Sequence, residues 1–191
     1  IDVKKNEPIN INPLFPQHPT LLYVCSAMGS GKTALMQYLL IEPYRMFFNK
    51  IFIFCPTLNQ PSWKKLKLNQ ERVYEHYSDA IFEKVLGEIK EDPDERCLIL
   101  IDDCTATNLF RKENALSRFI FNHRHYPSPE TGTSIWIISH QYKTVPKNVR
   151  SVVKDLIIFK LRSGDELDEI ATDVRALIPK KDFMALYSKC V

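Results

Sequence analysis

The sequence predicts an α/β fold: a three-layer sandwich on a mainly parallel sheet of about five or more strands, with helices on both faces. Strand-like and helix-like stretches alternate along the chain, strand first. The strand-like runs are apolar throughout rather than every second residue, the pattern of strands covered on both faces. Two of only five glycines, Gly29 and Gly31, sit together where the first strand meets the first helix, which marks a backbone requirement there.

Each element follows from its residues. Residues 1–20 hold four prolines (Pro8, Pro13, Pro16, Pro19) and read as an extended arm, either wrapped on the domain, reaching a neighbour, or solvated. Residues 21–191 form one domain. Residues 21–25 are a short apolar strand. Leu35, Met36, Leu39 and Leu40 give residues 32–41 a helical stripe. Residues 50–55 (KIFIFC) are a strand that Pro56 ends, and 61–68 read as a short helix. Ile81, Phe82, Val85, Leu86 and Ile89 put one apolar face on a helix over 78–91, with Ser78 as N-cap. Residues 97–101 (CLILI) are a strand, 115–124 a helix, and 133–139 (TSIWIIS) another strand. Pro146 opens a short helix, and 155–161 form a last strand. Ser163 and Glu166 fit a capping box ahead of Leu167, Ile170, Val174 and Leu177.

Composition excludes several classes. With 45% apolar and 26% charged residues the chain has globular composition, not that of a disordered or coiled-coil protein. No apolar run approaches the length of a membrane span, and the first residues lack a signal peptide's apolar stretch. Five cysteines (Cys25, Cys55, Cys97, Cys104, Cys190) form no CxxC pair, so buried free thiols in a reducing compartment are expected. A net charge of +3 is too small to imply nucleic acid, so the distribution of charge must carry that inference.

The first strand runs into Ser26-Ala27-Met28-Gly29-Ser30-Gly31-Lys32-Thr33, and Ala34 follows inside the first helix. This is a phosphate-binding loop. Glycines let backbone N–H groups turn inward around phosphate oxygens, and the helix N-terminus adds partial positive charge. Lys32 reaches the β- and γ-phosphates, and the Thr33 hydroxyl ligates Mg²⁺. Ser26 replaces the usual first glycine, which is tolerable where the backbone angles are ordinary. A bare Gly-Lys-Thr is a weak signal; the apolar strand before it and the amphipathic helix after it make this one strong.

The strand at 97–101 ends in Asp102-Asp103, at the edge where such sheets bind ligands. Asp102 would hold Mg²⁺, directly or through water. Asp103 would orient or deprotonate an attacking water, although it is one methylene shorter than the more usual glutamate. After the strand at 133–139, the Gln141 amide can reach the γ-phosphate or that water, with His140 as the alternative. Arg118, Arg124 and Arg150 are each able to stabilise transition-state charge on a neighbour's γ-phosphate. Lys143, Lys147, Arg150 and Lys154 lie at steps of four, three and four, which would align them on one helix side for DNA phosphates; a solvated basic face is the plain alternative.

Together SAMGSGKT, KIFIFCPT, LILIDD, NHRHYP and IWIISHQYKTVPKNVR resemble the genome-packaging ATPases of poxviruses, giant viruses and virophages, within the FtsK–HerA superfamily of P-loop NTPases. The resemblance spans roughly residues 21–161. It implies a P-loop sheet ordered 5-1-4-3-2, with Lys32 and Thr33 in the loop, Asp102 and Asp103 as the Walker B pair, Gln141 as sensor and Arg124 acting across a subunit boundary. It implies an ATPase that converts ATP and water to ADP and phosphate and drives double-stranded DNA into a preformed capsid. The cofactors would be ATP and Mg²⁺. The partners would be DNA, copies of itself in a pentameric or hexameric ring, and capsid or membrane-vertex proteins. The location would be the virus factory in the host cytoplasm, and the virion. The competing reading is a monomeric nucleotide or nucleoside kinase, with Arg111, Lys112, Arg118 and Arg124 as a lid. A GTPase is disfavoured because Asn49-Lys50 is followed by Ile51-Phe52 and not by a guanine-reading aspartate.

Overall fold

The computed structural model describes residues 10–57, 63, 69–103, 109–111 and 114–191. Among the described residues the strands are β1 (Leu21–Cys25), β2 (Lys50–Phe54), β3 (Val73–Tyr74), β4 (Cys97–Asp102), β5 (Thr133–Ser139) and β6 (Asp155–Ile158). The α-helices among them are α1 (Lys32–Ile41), α2 (Asp79–Glu91), α3 (Ala115–Ile120), α4 (Lys147–Arg150), α5 (Gly164–Asp173) and α6 (Lys180–Cys190).

All the strands pair in parallel, in the order β3-β2-β4-β5-β1-β6. The five strands expected from sequence occupy the expected order, read from β6 inward. The difference is β3, a two-residue strand added outside β2, where Ile53 and Phe54 pair with Val73 and Tyr74. It is too short to leave a pattern in sequence.

Side-chain alternation along the buried strands splits the core in two. Leu21, Tyr23 and Cys25 face one side with Phe52, Phe54, Ile99 and Ile137, where α2, α3 and α5 pack. Leu22 and Val24 face the other with Ile53, Leu98, Leu100, Trp136 and Ile138, against Met36, Leu39 and Leu40 of α1. On α2, Phe82, Val85 and Ile89 are fully buried, each worth about 1.5–3 kcal/mol. The Ser78 hydroxyl accepts from the Ile81 N–H at 3.2 Å, the expected cap.

Residues 10–20 lie along the α1 face. Ile11 is buried there and Phe15 packs beside it. The Tyr44 hydroxyl donates to the Pro16 carbonyl at 2.5 Å, and His18 Nδ1 lies 2.7 Å from Ser134 Oγ. Gly132 has a φ of +65°, and a Cβ there would sit 2.6 Å from the Pro19 ring and 2.8 Å from the Arg124 carbonyl, so only glycine fits.

Several expectations need correction. The helix over 115–124 stops at Ile120. A separate turn at His123–His125 follows, in which His123 Nδ1 donates to the Thr133 carbonyl at 2.6 Å and ties the chain to the start of β5. The capping box at α5 is half formed. Ser163 accepts from the Glu166 N–H, but the Glu166 carboxylate accepts from the Tyr142 N–H at 2.8 Å instead of folding back. Helix α6 was not anticipated. The expected helix over 61–68 lies outside the described residues except for Trp63, as does Cys104. Cys25, Cys55 and Cys97 are buried free thiols, and Cys190 is exposed.

Candidate active site

The phosphate loop lies at the C-terminal edge of the sheet, between β1 and α1. Gly29 and Gly31 hold φ of +76° and +94°, and Gly31 caps α1 in the left-handed conformation that a side chain would strain. Ser26 is buried with no positive φ, so the missing first glycine costs the loop nothing. Its N–H donates to the Ser139 carbonyl at 3.3 Å, which fastens the loop to the end of β5. The Ser30 hydroxyl bonds Ser26 Oγ and the Ala27 carbonyl, tightening the turn.

Lys32 is buried, with Nζ 3.4 Å from the Ser26 carbonyl and 2.5 Å from His140 Nδ1. Burial holds its ammonium below the usual lysine range, and the charges of Asp103 and Asp102 oppose that shift. Asp102 ends β4 almost wholly buried. Burial first, and the Asp103 charge second, push its carboxyl up to about 6. Its Oδ2 accepts from Thr33 Oγ1 at 3.5 Å and from Cys55 Sγ at 3.7 Å, while Oδ1 is buried without a partner. An orphaned carboxylate oxygen beside a hydroxyl is a hard-oxygen donor set, which fits Mg²⁺.

Asp103 adopts a φ of +53°, and its N–H donates to the Ile138 carbonyl at 3.2 Å. That turn swings its Oδ2 to 2.7 Å from His140 Nε2. Gly29, Ser30, Lys32, Thr33, Thr57, Asp103 and His140 line a cleft of about 530 Å³, together with Met28, Gly31 and Ala34. Gln141 is exposed and lines an adjoining cleft of about 310 Å³ with Ala27, Met28, Leu161, Arg162 and Ser163. Of the two polar residues after β5, it is His140 that touches the loop.

The remaining expected residues lie elsewhere. Arg124 is exposed in the turn before β5, beside Gly132. That is the opposite end of a seven-residue strand from the loop, about 20 Å away. It cannot reach the nucleotide site of its own chain. The four-residue basic stripe on one helix is not formed, because α4 spans only Lys147–Arg150. Arg150 is turned inward: Nη2 and Nε contact Glu169 at 2.5 Å and Asp173 at 2.9 Å, and its guanidinium covers the Tyr142 ring at 4.4 Å. Lys143 pairs with Glu169 at 3.0 Å. Lys147 and Lys154 stay exposed.

A family model described as "Poxvirus A32 protein" matches residues 14–188. No curated protein matches the chain. Among solved structures, B204, the DNA-packaging ATPase from Sulfolobus Turreted Icosahedral Virus, superposes with a TM-score of 0.65 at 14% identity, covering 90% of this chain and 89% of that one. The genome packaging NTPase B204 from Sulfolobus turreted icosahedral virus 2, in complex with AMP, gives 0.64 at 15% identity, covering 89% and 87%. At such identities the likeness is one of fold.

Proposed function

We propose that this chain, which belongs to the Poxvirus A32 protein family, hydrolyses ATP to ADP and phosphate and uses that reaction to move viral double-stranded DNA into a preformed capsid. The observation that carries the reading is the junction of the two halves of the site. A buried lysine and a helix-capping glycine loop stand over a buried aspartate with one unpartnered oxygen. Such a cradle receives a polyphosphate with its metal. The structures of B204, described as a packaging NTPase, in complex with AMP, AMPPCP and ATP-gammaS support the nucleotide class.

In this reading the backbone N–H groups of residues 26–34 (Ser26, Ala27, Met28, Gly29, Ser30, Gly31, Lys32, Thr33, Ala34) cradle the phosphates. Lys32 neutralises the β- and γ-phosphates. Thr33 and Asp102 would hold Mg²⁺, whose chemistry when bound is charge neutralisation at those phosphates. Asp103 serves the attacking water, and Gln141, from the adjoining cleft, meets the γ-phosphate or that water. Arg124, too far from its own loop, acts on the site of the next subunit in a head-to-tail ring, pentameric or hexameric. Lys147 and Lys154 contact DNA phosphates, with Lys143 beside them. Capsid or membrane-vertex proteins dock the ring in the host's virus factory. Among the described residues, no helix is long and apolar enough to cross a membrane.

The kinase reading is not favoured. It needs arginines gathered over the phosphates, whereas Arg118 pairs with Glu83 at 3.9 Å and Arg124 sits at the far end of β5. Titrating protein into an ATP hydrolysis assay with and without double-stranded DNA tests the proposal. Turnover that rises with DNA and falls at least about 100-fold in Lys32→Ala is expected. Turnover indifferent to DNA and accelerated by a nucleoside acceptor would sink it.

A further inference from the structure

The geometry points to His140 as the proton acceptor for the attacking water, with Asp103 as the residue that orients it. This inference rests on the ATPase reading and refines it.

Two contacts meet at one imidazole. Its Nε2 lies 2.7 Å from Asp103 Oδ2, and its Nδ1 lies 2.5 Å from Lys32 Nζ. An ammonium has only donors and a carboxylate only acceptors, so one arrangement satisfies both contacts: Nε2–H donates to Asp103, and Nδ1 accepts from Lys32. The Nδ1 lone pair is therefore held by Lys32, the residue that engages phosphate in the proposed reading. Asp103 is held in this role by its backbone. The φ of +53° and the bond from its N–H to the Ile138 carbonyl turn the carboxylate toward the ring. A left-handed backbone is uncommon for a residue other than glycine and persists where the surroundings impose it. The acid is also one methylene short of the more usual glutamate, and the imidazole supplies the missing reach.

Without nucleotide, Lys32 caps the lone pair. Phosphate oxygens draw the ammonium away, and a water takes its place with one hydrogen toward Nδ1. As the water oxygen bonds to the γ-phosphorus, the bond from that phosphorus to the β,γ-bridging oxygen breaks, and its electron pair leaves on ADP. The water's proton passes to Nδ1. The imidazolium is stabilised by the Asp103 carboxylate and returns the proton to phosphate or solvent. An aspartate that orients a histidine in this way fixes both tautomer and ring position.

The test uses the full chain with ATP, Mg²⁺ and double-stranded DNA, and measures kcat, KM and AMPPCP affinity. His140→Gln keeps hydrogen-bonding groups at the site but cannot take up a proton. Its kcat is expected to fall by about 10²- to 10⁴-fold, with AMPPCP affinity within about threefold. The His140 side chain is 35% exposed, so the fold should tolerate the change, and His140→Asn provides a second variant. Asp103→Asn should lower kcat, and the double variant should fall no further than His140→Gln alone, because the pair acts as a unit. If His140→Gln keeps kcat within about threefold of the parent while Asp103→Asn abolishes it, Asp103 takes the proton directly and the inference is wrong. Multiplicative losses in the double variant would also overturn it. Parent turnover no greater than Lys32→Ala would mean that the ATPase reading itself had failed, a result distinct from either.

Discussion

Arg150 and Lys147 stand three residues apart on α4, yet their surroundings give them different work. Arg150 has its side chain 5% exposed and is bound to Glu169 and Asp173, whereas Lys147 is solvated. Removing Arg150 leaves two carboxylates facing an empty site in a part-buried cluster. Arg150→Met should therefore destabilise the protein by about 3–5 kcal/mol, seen as a lower urea midpoint. Lys147→Ala and Lys154→Ala should leave the midpoint within about 0.5 kcal/mol of the parent. They should weaken DNA binding and reduce its salt slope by about one unit each. An unchanged slope would make these lysines an ordinary solvated face. The spacing in sequence could show four basic residues at helical steps but not that Arg150 turns inward, because its partners lie 19 and 23 positions away on α5. The loop from Ser26 to Thr33 was legible for the opposite reason: its turn closes on itself, with the Ser30 hydroxyl bonded to Ser26 and Ala27. The Asp103–His140–Lys32 contacts join the ends of β4 and β5 to the start of α1, so sequence could offer His140 only as an alternative to Gln141.

At the scale of elements, the buried strands and the helices that bury a face were legible because each carries its own burial pattern, whereas α6 buries no residue and left none. Ser78 and the stripe on α2 specify a helix without help from the rest of the chain. The short elements were not, since β3 exists only because β2 lies alongside, and Glu166 abandons its cap for Tyr142, which packs there from another segment. The segment before β1 is expected to make stability sensitive to acid. His18 is packed edge-on to Phe47 and Phe48, with Nε2 buried and unpartnered. Burial, and secondarily the Arg96 charge, lower its pKa from 6.5 to about 4. The folded pKa lies below the unfolded one, so the stabilisation is full above pH 6.5 and is lost as pH falls from 6.5 toward 4. The loss amounts to roughly 3 kcal/mol. Urea midpoints at pH 7 and pH 4.5 should show that drop, and His18→Gln should flatten it. An equal drop in His18→Gln would assign the acid sensitivity to other groups.

For the whole molecule, the sheet order places Lys32, Asp102, Asp103 and His140 at one end and Arg124 at the other. A monomer with that arrangement has no arginine from this turn at its own nucleotide. A head-to-tail ring brings the two ends of neighbouring subunits together. Arg124→Ala should therefore retain AMPPCP binding, lose turnover in the assembled state, and regain part of it when mixed with Lys32→Ala chains that contribute the missing arginine. No recovery on mixing would remove Arg124 from the site.

A DNA-dependent motor is tested most directly by steady-state ATP hydrolysis with and without double-stranded DNA across a range of protein concentrations, with Lys32→Ala as the blank. Turnover per chain should rise with both DNA and protein concentration. Turnover strictly linear in protein and indifferent to DNA would contradict it.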